Sequence, residues 1–346
     1  MSSIQYKELL SFTKNVLTKV NLDNFSSEAV SKGLSEASLR GVDSHGIRLL
    51  PHYVQSSLSG RKNPKPNFKI SSKFPASISL DADNAFGHSA GFKSIDEGIK
   101  ASEKYGISQV NVFNSSHPGA LASMTLRAAR RGYIAFAFTH ADSLMLSYNG
   151  VRPFFGTNPI SFAAPRLEKE PYCLDMATSM ISWNKLKNFR EEGKELEPNI
   201  AADDLGLSTN DPLEASQLFP IGYYKGYGLA SMVDILCSVN TGMNFARSIP
   251  SMFEYDMSLP RRLGQSYIIM RTDLTVSKRE FKASLQELTD LIRAEPSQEG
   301  KRVLCPNDPE IACSKIRLEQ GIPLEQAVLK DLQILSKDLE VNLNLI

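Results

Sequence analysis

The sequence predicts a mixed protein of the α+β class, with a helix-covered sheet between two helical ends of the chain. Apolar residues recur at helical spacing near both ends, and strand-like runs alternate with helical patterns in the middle. A tract from 61 to 74, rich in lysine and proline, separates the first helical part from the sheet. We therefore predict a discontinuous helical domain of residues 1–75 and 310–346 around a central α/β domain of residues 76–309.

Three helices are expected in the first sixty residues. Their apolar positions recur every three or four residues, a serine pair caps the second helix, and Gly60 follows the third. The predicted helices are Ile4 to Val20, Ser26 to Leu39 and Ile47 to Leu58. Pro64, Pro66 and Pro75 exclude a helix in the tract that follows, which is predicted to be extended.

The central part is predicted to alternate strands with helices. Gly106 and Gly132 each follow a helical pattern at the position where helices end. The predicted strands are Ser77 to Leu80, Ser108 to Phe113, Tyr133 to Thr139, Ile160 to Ala164, a run before Asp175, and Gln265 to Arg271. The predicted helices are Ser89 to Tyr105, Ala120 to Arg131, Tyr224 to Val239 and Ser277 to Arg293. A loop from Glu295 to Pro309 then leads to two terminal helices, separated by Gly321-Ile322-Pro323.

The charge balance argues against nucleic acid as a partner. The 346 residues carry 39 Lys and Arg against 38 Asp and Glu, which gives a formal net charge of +1. Nucleic-acid affinity comes mainly from a surplus of basic residues on one face. With 42% apolar and 22% charged residues, the composition is that of an ordinary globular protein.

Neither a membrane anchor nor an extracellular location is indicated. No run approaches the roughly 20 apolar residues that a membrane helix needs. Lys7, Glu8 and Lys14 interrupt any signal-peptide core. The four cysteines lack CxxC and zinc-ligand spacing, so neither a bound metal nor a disulfide framework is predicted. We expect a reduced, cytoplasmic protein.

The usual nucleotide-binding fingerprints are absent from the sequence. A Rossmann loop needs GxGxxG directly after a strand, and a P-loop needs GxxxxGK[ST]. The nearest segment, Gly226-Tyr227-Gly228, lacks the third glycine. A dinucleotide would therefore have to be held by another type of sheet.

The first candidate for chemistry is His45, in Asp43-Ser44-His45-Gly46 at a predicted helix start, with Arg48 nearby. A hydroxyl, an imidazole and a guanidinium at a helix N-terminus suit a small carboxylate. The imidazole could also exchange a proton with a substrate hydroxyl. Ser44 as a simple helix cap, with His45 as a polar neighbour, explains the same residues equally well.

Two predicted strands end in polar residues. His117 follows one strand in a polar loop, and His140 and Asp142 follow the next. Because open α/β sheets bind ligands at the carboxyl ends of their strands, these two ends predict a shared cleft. Ordinary capping of the following helix explains each cluster taken alone. His52 and His88 lack such neighbours and are expected to be structural or surface residues.

Three further segments suggest ligand contacts. Thr157 and Asn158 form a turn before a strand. Asp175 ends a strand, where its carboxylate either binds a ribose hydroxyl or caps the next helix. Lys225 stands among glycines that permit close backbone approach, so it either meets a phosphate or belongs to a flexible helix start.

Taken together, these segments resemble the malate/L-lactate dehydrogenase family, which is unrelated to the Rossmann-type enzymes. Its ureidoglycolate dehydrogenase branch is the most similar, around Ser251-Met252-Phe253 and Leu263-Gly264-Gln265. Five motifs in the family order are far more specific than any one of them. They are Asp43-Ser44-His45-Gly46, Asn114-Ser115-Ser116-His117-Pro118-Gly119, Gly156-Thr157-Asn158-Pro159, Asp175-Met176-Ala177-Thr178-Ser179 and Lys225-Gly226-Tyr227-Gly228-Leu229.

The resemblance implies a homodimeric enzyme that transfers a hydride between NAD or NADP and a small 2-hydroxy or 2-oxo acid. It implies His45 as the leading acid/base group and His117 as a second candidate, with Asp142 orienting one of them. The implied substrate contacts are Ser44, Arg48, Thr157 and Asn158. The implied cofactor contacts are Asp175, Met176, Ala177, Thr178, Ser179, Met180, Ile181, Tyr224, Lys225, Asn307, Asp308 and Pro309.

The chain departs from the family pattern at three places. The glycine common after the Asp-Met-Ala-Thr-Ser segment is Asn184 here, and the usual Pro-x-Gly-Trp-Ala segment reads Pro198-Asn199-Ile200-Ala201-Ala202. Family members commonly carry arginine five residues after the motif's serine, where this chain has Leu49. Arg48 would point roughly 100° around a helix from that position, which weakens the predicted carboxylate clamp. Asn307 replaces a glycine and is expected to need a positive φ, which asparagine tolerates better than most residues.

Two alternatives remain open from the sequence. One is an imine or sugar-acid reductase on the same scaffold, which the shifted Arg48 favours. The other is a non-catalytic relative that binds a dinucleotide or only dimerises. The choice between NAD and NADP is open too, because Lys185, Lys187 and Arg190 could meet a 2′-phosphate or belong to a solvated helix face.

Overall fold

The helices follow the sequence prediction closely in a computed structural model that describes residues 2–253 and 256–346. They are α1 (Tyr6–Lys19), α2 (Asn24–Leu39), α3 (Leu50–Leu58), α4 (Gly87–Tyr105), α5 (Ala122–Ala129), α6 (Trp183–Glu192), α7 (Tyr224–Cys237), α8 (Lys278–Ala294), α9 (Asp308–Gln320) and α10 (Gln326–Asp338). None of the helices in these two described ranges is both long and apolar enough to cross a bilayer.

The strands form three sheets, a large one and two small ones. In chain order they are β1 (Ser3–Ile4), β2 (Lys69–Phe74), β3 (Ser77–Asp81), β4 (Ile107–Ser115), β5 (Tyr133–Thr139), β6 (Met145–Leu146), β7 (Pro153–Phe155), β8 (Ile160–Ala164), β9 (Tyr172–Met176), β10 (Ala201–Ala202), β11 (Ser208–Thr209), β12 (Gln217–Leu218), β13 (Leu263–Arg271) and β14 (Ile322–Pro323).

The large sheet has seven strands in the order β2-β3-β4-β13-β5-β8-β9. Only β3 and β4 pair in parallel, and the other neighbours are antiparallel. Since β4 and β5 both run antiparallel to β13, their carboxyl ends lie at the same edge of the sheet. The predicted fold class is confirmed: this is a mixed sheet covered by helices, without the strand order of a doubly wound nucleotide-binding fold.

Helices cover both faces of the large sheet, and the alternation of side chains along β5 shows how. Ala135 and Ala137 face the core beneath α4 and α5. Phe136 and Phe138 face the opposite way and pack with Val233 of α7. Small residues on one face and aromatic residues on the other let helices approach to different depths.

The two ends of the chain share one hydrophobic core. Leu9, Leu34 and Tyr53 from the first three helices pack in a cluster that also contains Ile322 and Leu332 from the last part of the chain. β1 pairs with β14, which fastens the ends together through the backbone. Burial against a common core explains why helical patterns far apart in sequence belong together.

Hydrogen bonding places the predicted extended tract with the sheet. β2 pairs with β3 across a turn, although all of its side chains are exposed. The proposed division at residue 75 therefore passes between two paired strands, and the domain limits stay a prediction.

The second sheet was not predicted. It has five strands in the order β11-β10-β12-β6-β7, each only two or three residues long. Strands this short carry no readable alternation. The sequence also led us to expect a helix directly after Asp175. The next helix, α6, begins only at Trp183, after Ser182, whose hydroxyl accepts the N–H of Lys185 at 3.2 Å.

Candidate functional site

A cavity of about 770 Å³ opens where the helical part, the carboxyl edge of the large sheet and the small sheet meet. This volume lies in the range of about 300–1,000 Å³ that small-molecule sites occupy. Its wall includes both histidines that the sequence singled out, together with Leu49, Asp142 and Thr157. α6 and the segment Leu213–Ser216 close its other side.

His45 and His117 stand side by side on this wall. Their rings are nearly parallel, with centroids 5.6 Å apart and an angle of 27° between the planes. They come from different parts of the chain, one from a short turn before α3 and the other from the loop after β4. The shared cleft predicted from the strand ends therefore contains a histidine from the helical part as well.

The turn that carries His45 is clamped from three directions. The hydroxyl of Ser44 lies 2.9 Å from Nδ1 of His45. Arg317 of α9 donates to both oxygens of Asp43 at 2.6 and 2.8 Å. Asn184 of α6 donates to the carbonyl of Ser44 at 2.9 Å. The fixed turn holds the ring of His45 in one orientation.

The loop that carries His117 is held by two buried side chains. The hydroxyl of Tyr53 lies 3.2 Å from Nδ1 of His117. Gln265 on β13 donates to the hydroxyl of Ser115 at 2.9 Å and to the carbonyl of Ser116 at 3.2 Å. Both histidine rings are thus fixed at Nδ1, as acid/base groups need to be.

Burial makes the neutral imidazole the stable form in both rings. It lowers the pKa of His45 to about 4. The pKa of His117 lies well below its usual range, because of burial first and then repulsion from His45, when that ring is protonated, and from Arg261 and Lys62. At neutral pH both rings are therefore able to accept a proton.

Asp142 lies on the cavity wall but pairs with a cation. It accepts a hydrogen bond from the guanidinium of Arg261, which is itself buried, and another from the N–H of Met252 at 3.3 Å. In the part of the chain that the structure describes, Asp142 makes no hydrogen bond to either histidine. The side chains that contact Nδ1 of the two rings are Ser44 and Tyr53.

The predicted substrate contacts separate into two groups. Thr157 lines the cavity, whereas Ser44 is occupied by His45. Arg48 points away, donates to Asn188 at 3.3 Å and lines a separate cavity of about 200 Å³, so that Leu49 takes the place on the wall. Arg48 and Leu49 lie on different sides of their turn, as the rotation between neighbouring residues requires.

Asn158 serves the scaffold instead of the cavity. Its side-chain oxygen accepts the N–H of Ala141 at 3.2 Å, and its NH₂ donates to the carbonyl of Ala230 at 2.9 Å. These bonds tie the end of β5 to the turn before β8 and to α7. Because the side-chain oxygen and the NH₂ group of Asn158 both bond within the protein, these contacts indicate a structural role and not a substrate contact.

Most of the predicted cofactor segment is joined to the loop before Lys225. Thr178 donates its N–H to Thr157 and accepts that of Ile221, both at 2.9 Å, and Met180 donates to Phe219 at 2.8 Å. Residues 175 to 181 therefore run beside the loop that ends at Tyr224 and Lys225, both of which are exposed. The structure brings these two sequence motifs together.

Asp175 caps a helix, but it is the earlier helix α5 and not the next helix that the sequence suggested, since α6 is capped by Ser182. Its carboxylate accepts the N–H of Ala122 at 2.7 Å, at the start of α5. Asp175 is exposed as a residue, while desolvation of its carboxyl group by nearby protein atoms raises its pKa to about 6. Arg40 opposes that rise, which places a cation close to the carboxylate.

The last predicted cofactor residues lie at the start of α9, next to Arg40. Asn307 has the expected positive φ, of 84°, and its side chain bonds to Arg40 and to the carbonyl of Pro171. Asp308 pairs with Arg293 at 2.8 Å. Arg40 is buried, and its Nε has no hydrogen-bond partner in the described residues. A buried donor near two helix N-termini fits a phosphate group of a dinucleotide.

The malate/L-lactate dehydrogenase family model matches residues 4–333 of the chain. The chain belongs to this family. The predicted resemblance is thereby confirmed, and with it the class of enzyme, a dehydrogenase.

Individual relatives match over nearly the whole length of this family member. The ureidoglycolate dehydrogenase (NAD(+)) of Escherichia coli is 30% identical over 318 residues, which is 91% of each chain. A malate dehydrogenase of Pyrococcus abyssi is 31% identical over 341 residues, covering 95% of this chain and 93% of the relative. The crystal structure of malate dehydrogenase from Entamoeba histolytica superimposes with a TM-score of 0.93 at 27% identity and covers 99% of both chains.

Sequence reasoning missed several residues that shape the site in this family member. Tyr53 and Phe253 were read only as apolar residues or as part of a motif, and Arg261 carries no local signal. Lys62 is fully buried, and its amine lies 3.9 Å from the centroid of the Tyr53 ring without a hydrogen-bond partner among the described residues. No local signal marks Lys62, which is one of several lysines in the tract from 61 to 74.

His140 was predicted to share the cleft and is structural. Its Nδ1 lies 3.0 Å from Asp234, and its Nε2 accepts the N–H of Gly264 at 2.8 Å. Both ring nitrogens are thus used inside the protein, between α7 and the start of β13. His88 is fully buried as well, while His52 borders a small neighbouring cavity.

Proposed function

We propose that the chain transfers a hydride between NAD or NADP and a small 2-hydroxy or 2-oxo acid, of the malate, L-lactate or ureidoglycolate class. The observation that carries the proposal is the pair of neutral, fixed imidazoles of His45 and His117 on one wall of a cavity of small-molecule size. Membership of a dehydrogenase family supports it, as do relatives named for hydroxyacid substrates.

The proposed proton chemistry belongs to the two histidines. Oxidation of a hydroxyl releases a proton, and a neutral imidazole in contact with the hydroxyl takes it up. In the reverse direction the same ring, once protonated, returns the proton to the oxygen of the reduced carbonyl. Ser44 holds His45 through Nδ1, and with the ring's own proton on that nitrogen Nε2 is left for this exchange. At His117 the N–H of Gly119 donates to Nδ1 at 3.4 Å, which puts the proton of the neutral ring on Nε2. His45 is proposed as the leading group.

The cofactor is proposed to lie along the edge of the sheet beyond the histidines. The residues that would hold it are Asp175, Met176, Ala177, Thr178, Ser179, Met180, Ile181, Tyr224, Lys225, Asn307, Asp308 and Pro309, with Arg40 added from the structure. When bound, the nicotinamide gives or takes the hydride. The amine of Lys225 and the guanidinium of Arg40 would supply positive charge for the phosphates of the cofactor.

Replacing each of the two histidines in turn is the decisive test. We expect His45→Ala and His117→Ala each to lower kcat/KM by about 10²- to 10⁴-fold, the usual effect of removing a general acid or base. The assay follows NADH and NADPH oxidation over a panel of 2-oxo acids. As a control, the binding of NADH or NADPH, measured by fluorescence, should persist in both variants. Unchanged turnover in either variant would remove that histidine from the mechanism.

A second candidate, an imine or sugar-acid reductase, is favoured by one feature of the cavity. Arg48 is turned away from it, and the carboxylates of Asp204 and Glu214 lie on its wall. Carboxylates suit a substrate that carries N–H or hydroxyl donors. The same panel should therefore include cyclic imines and sugar acids, and activity confined to substrates without a carboxylate beside the reacting carbon would favour this reading.

We further propose a homodimer that works in the cytoplasm. Tyr224, Met232 and Ile235 of α7 and Val239 just beyond its end are exposed apolar residues, here together called the α7 stripe. Contiguous apolar side chains on a surface helix commonly mark a protein interface. All four cysteines are free thiols, as a reducing compartment would keep them.

A further inference from the structure

The cationic side chains of the cavity differ in whether their N–H donors are already used in contacts within the protein. Among the described residues, those on its wall are Lys187, Arg190 and Arg261, apart from the neutral histidines. Any substrate of the proposed function brings at least one carboxylate into this space. When a carboxylate leaves water, a cation or several hydrogen-bond donors of the protein have to replace the water molecules around it.

Two of the three cations are already engaged. Arg190 donates to the carbonyls of Pro212 and Ala215, and its guanidinium lies over the ring of Trp183, 5.4 Å from the centroid. Arg261 forms the buried ion pair with Asp142 and donates to the carbonyl of Pro250 at 2.9 Å. Both guanidiniums therefore serve to hold the walls of the cavity together.

Lys187 is the cation that remains. In the two described ranges its amine makes neither a hydrogen bond nor an ion pair. Its Nζ lies 4.6 Å from the centroid of the Phe253 ring, which also lines the cavity. A cation–π contact occupies one side of an ammonium group and uses none of its directional N–H donors on the other.

The helix that carries Lys187 is fixed against the turn of His45. Asn184 donates to the carbonyl of Ser44 at 2.9 Å, and Arg48 donates to Asn188 at 3.3 Å. Lys187 stands three residues after Asn184, so both project from the same face of α6. Lys187 and His45 therefore line the same cavity, and the hydrogen bonds between α6 and the turn of His45 hold these two elements together. Leu49, which also lies on the cavity wall, carries no charge.

We propose that Lys187 binds the carboxylate that every 2-hydroxy or 2-oxo acid substrate carries beside its reacting carbon. The proposal rests on the proposed function and supplies a substrate contact from α6 in place of the arginine expected on the turn of His45. An ammonium group on a flexible stem is a point charge, in contrast to the rigid fork of a guanidinium. It therefore accepts carboxylates that arrive at different angles.

The experiment compares Lys187→Met and Lys187→Arg with Lys194→Met. Lys194 is an exposed lysine just beyond the same helix, paired with Glu192 at 2.6 Å, and serves as the matched control. At saturating NADH or NADPH we expect Lys187→Met to raise the KM for both pyruvate and oxaloacetate by about 10- to 100-fold, the effect of one charged hydrogen bond. The expected kcat stays within about threefold, Lys187→Arg recovers part of the loss, and Lys194→Met behaves as the unmodified enzyme.

Three results would overturn the proposal. The first is an unchanged KM for both substrates. The second is a higher KM for oxaloacetate alone, which would assign Lys187 to the second acid group of that substrate. The third is a higher KM for NADPH alone, which would assign Lys187 to the 2′-phosphate of the cofactor. Failure of the unmodified enzyme to turn over any 2-oxo acid would instead contradict the proposed function. Oxalate, which has no reducible carbonyl, gives a readout without turnover: its affinity for the NADH complex should fall by the same factor in Lys187→Met.

Discussion

At the scale of single residues, the histidines of this chain share one property: burial lowers the pKa of each of them. The pKa falls to about 4 for His45 and to about 3 for His52 and His88, and it is lowered for His117 and His140 too. In the unfolded chain an imidazole has a pKa of about 6.5. At a pH between the folded and the unfolded pKa, the unfolded chain binds a proton at the histidine and the folded protein does not. The free energy of unfolding therefore falls as the pH drops through this range.

His88 allows this relation to be tested at one site. It is fully buried, and neither ring nitrogen has a hydrogen-bond partner among the described residues. We expect His88→Leu to remove about 1.4 kcal/mol per pH unit from the slope of unfolding free energy against pH between pH 6 and 4. At pH 8, where the imidazole is neutral in both states, the variant should be as stable as the unmodified protein or slightly more so. Urea unfolding at pH 8, 6, 5 and 4 measures both, and parallel slopes would contradict the prediction.

The candidate site itself was readable at this scale only in part. His45 and His117 could be named from the sequence because histidines are few and stand in polar loops. Which side chains orient them could not, since Tyr53 reads as one apolar residue of a helix. The offset of Arg48 was readable, because a rotation of about 100° separates the side chains of neighbouring residues on a helix. Its hydrogen bond to Asn188 of α6 was not.

At the scale of elements, β13 is the strand on which the site depends. It lies between β4 and β5 and supplies Gln265 to the loop of His117 and the N–H of Gly264 to His140. It also passes very close to the end of α7. A Cβ added at Gly264 would lie 1.7 Å from the carbonyl oxygen of Cys237. The absence of a side chain there is what lets the strand and the helix meet.

Gly264→Ala should therefore destabilise the fold. The methyl group would have to displace backbone, so we expect a loss of about 2 kcal/mol or more in unfolding free energy, at the upper part of the range for overpacking. Gly228→Ala on α7 is the matched control, since an added Cβ meets nothing within 4 Å there. The control should be neutral or gain up to about 1 kcal/mol from helix propensity. Equal denaturation midpoints for the two variants would show that the strand can move aside.

Elements also differ in how far the sequence could predict them. β5 and β8 were predicted at their observed limits because their apolar runs are short, β-rich and bounded by turn residues. The two- and three-residue strands of the small sheet were not predicted at all. They exist because their backbone groups find partners in distant segments, and no local pattern records that.

At the scale of the whole molecule, the last part of the chain completes the site that the first part begins. Arg317 of α9 holds Asp43 beside His45, and β14 pairs with β1. The remaining apolar surface of the molecule includes the α7 stripe, which runs close to Lys225. A second copy that covers this stripe would also border the proposed cofactor groove.

Ile235→Glu tests the proposed dimer. A carboxylate in the middle of a buried apolar interface costs several kcal/mol unless it is paired, so we expect a monomer at micromolar concentration. Leu58→Glu, at another exposed leucine, should leave the oligomeric state unchanged. Analytical ultracentrifugation distinguishes the two outcomes. A dimer that survives Ile235→Glu would place the interface elsewhere.

The sequence by itself determined the fold class, the family and the two histidines, because periodicity, turn residues and ordered motifs are local properties of a chain. Only the tertiary structure decided which side chains share the cavity. In the folded chain Arg48 bonds to Asn188 and Asp142 pairs with Arg261. The amide of Asn158 is hydrogen-bonded within the protein, and Lys187 lies on the cavity wall. Those outcomes depend on the direction of each side chain and on the partners that distant segments bring to it, and neither is written in the spacing of residues along the chain.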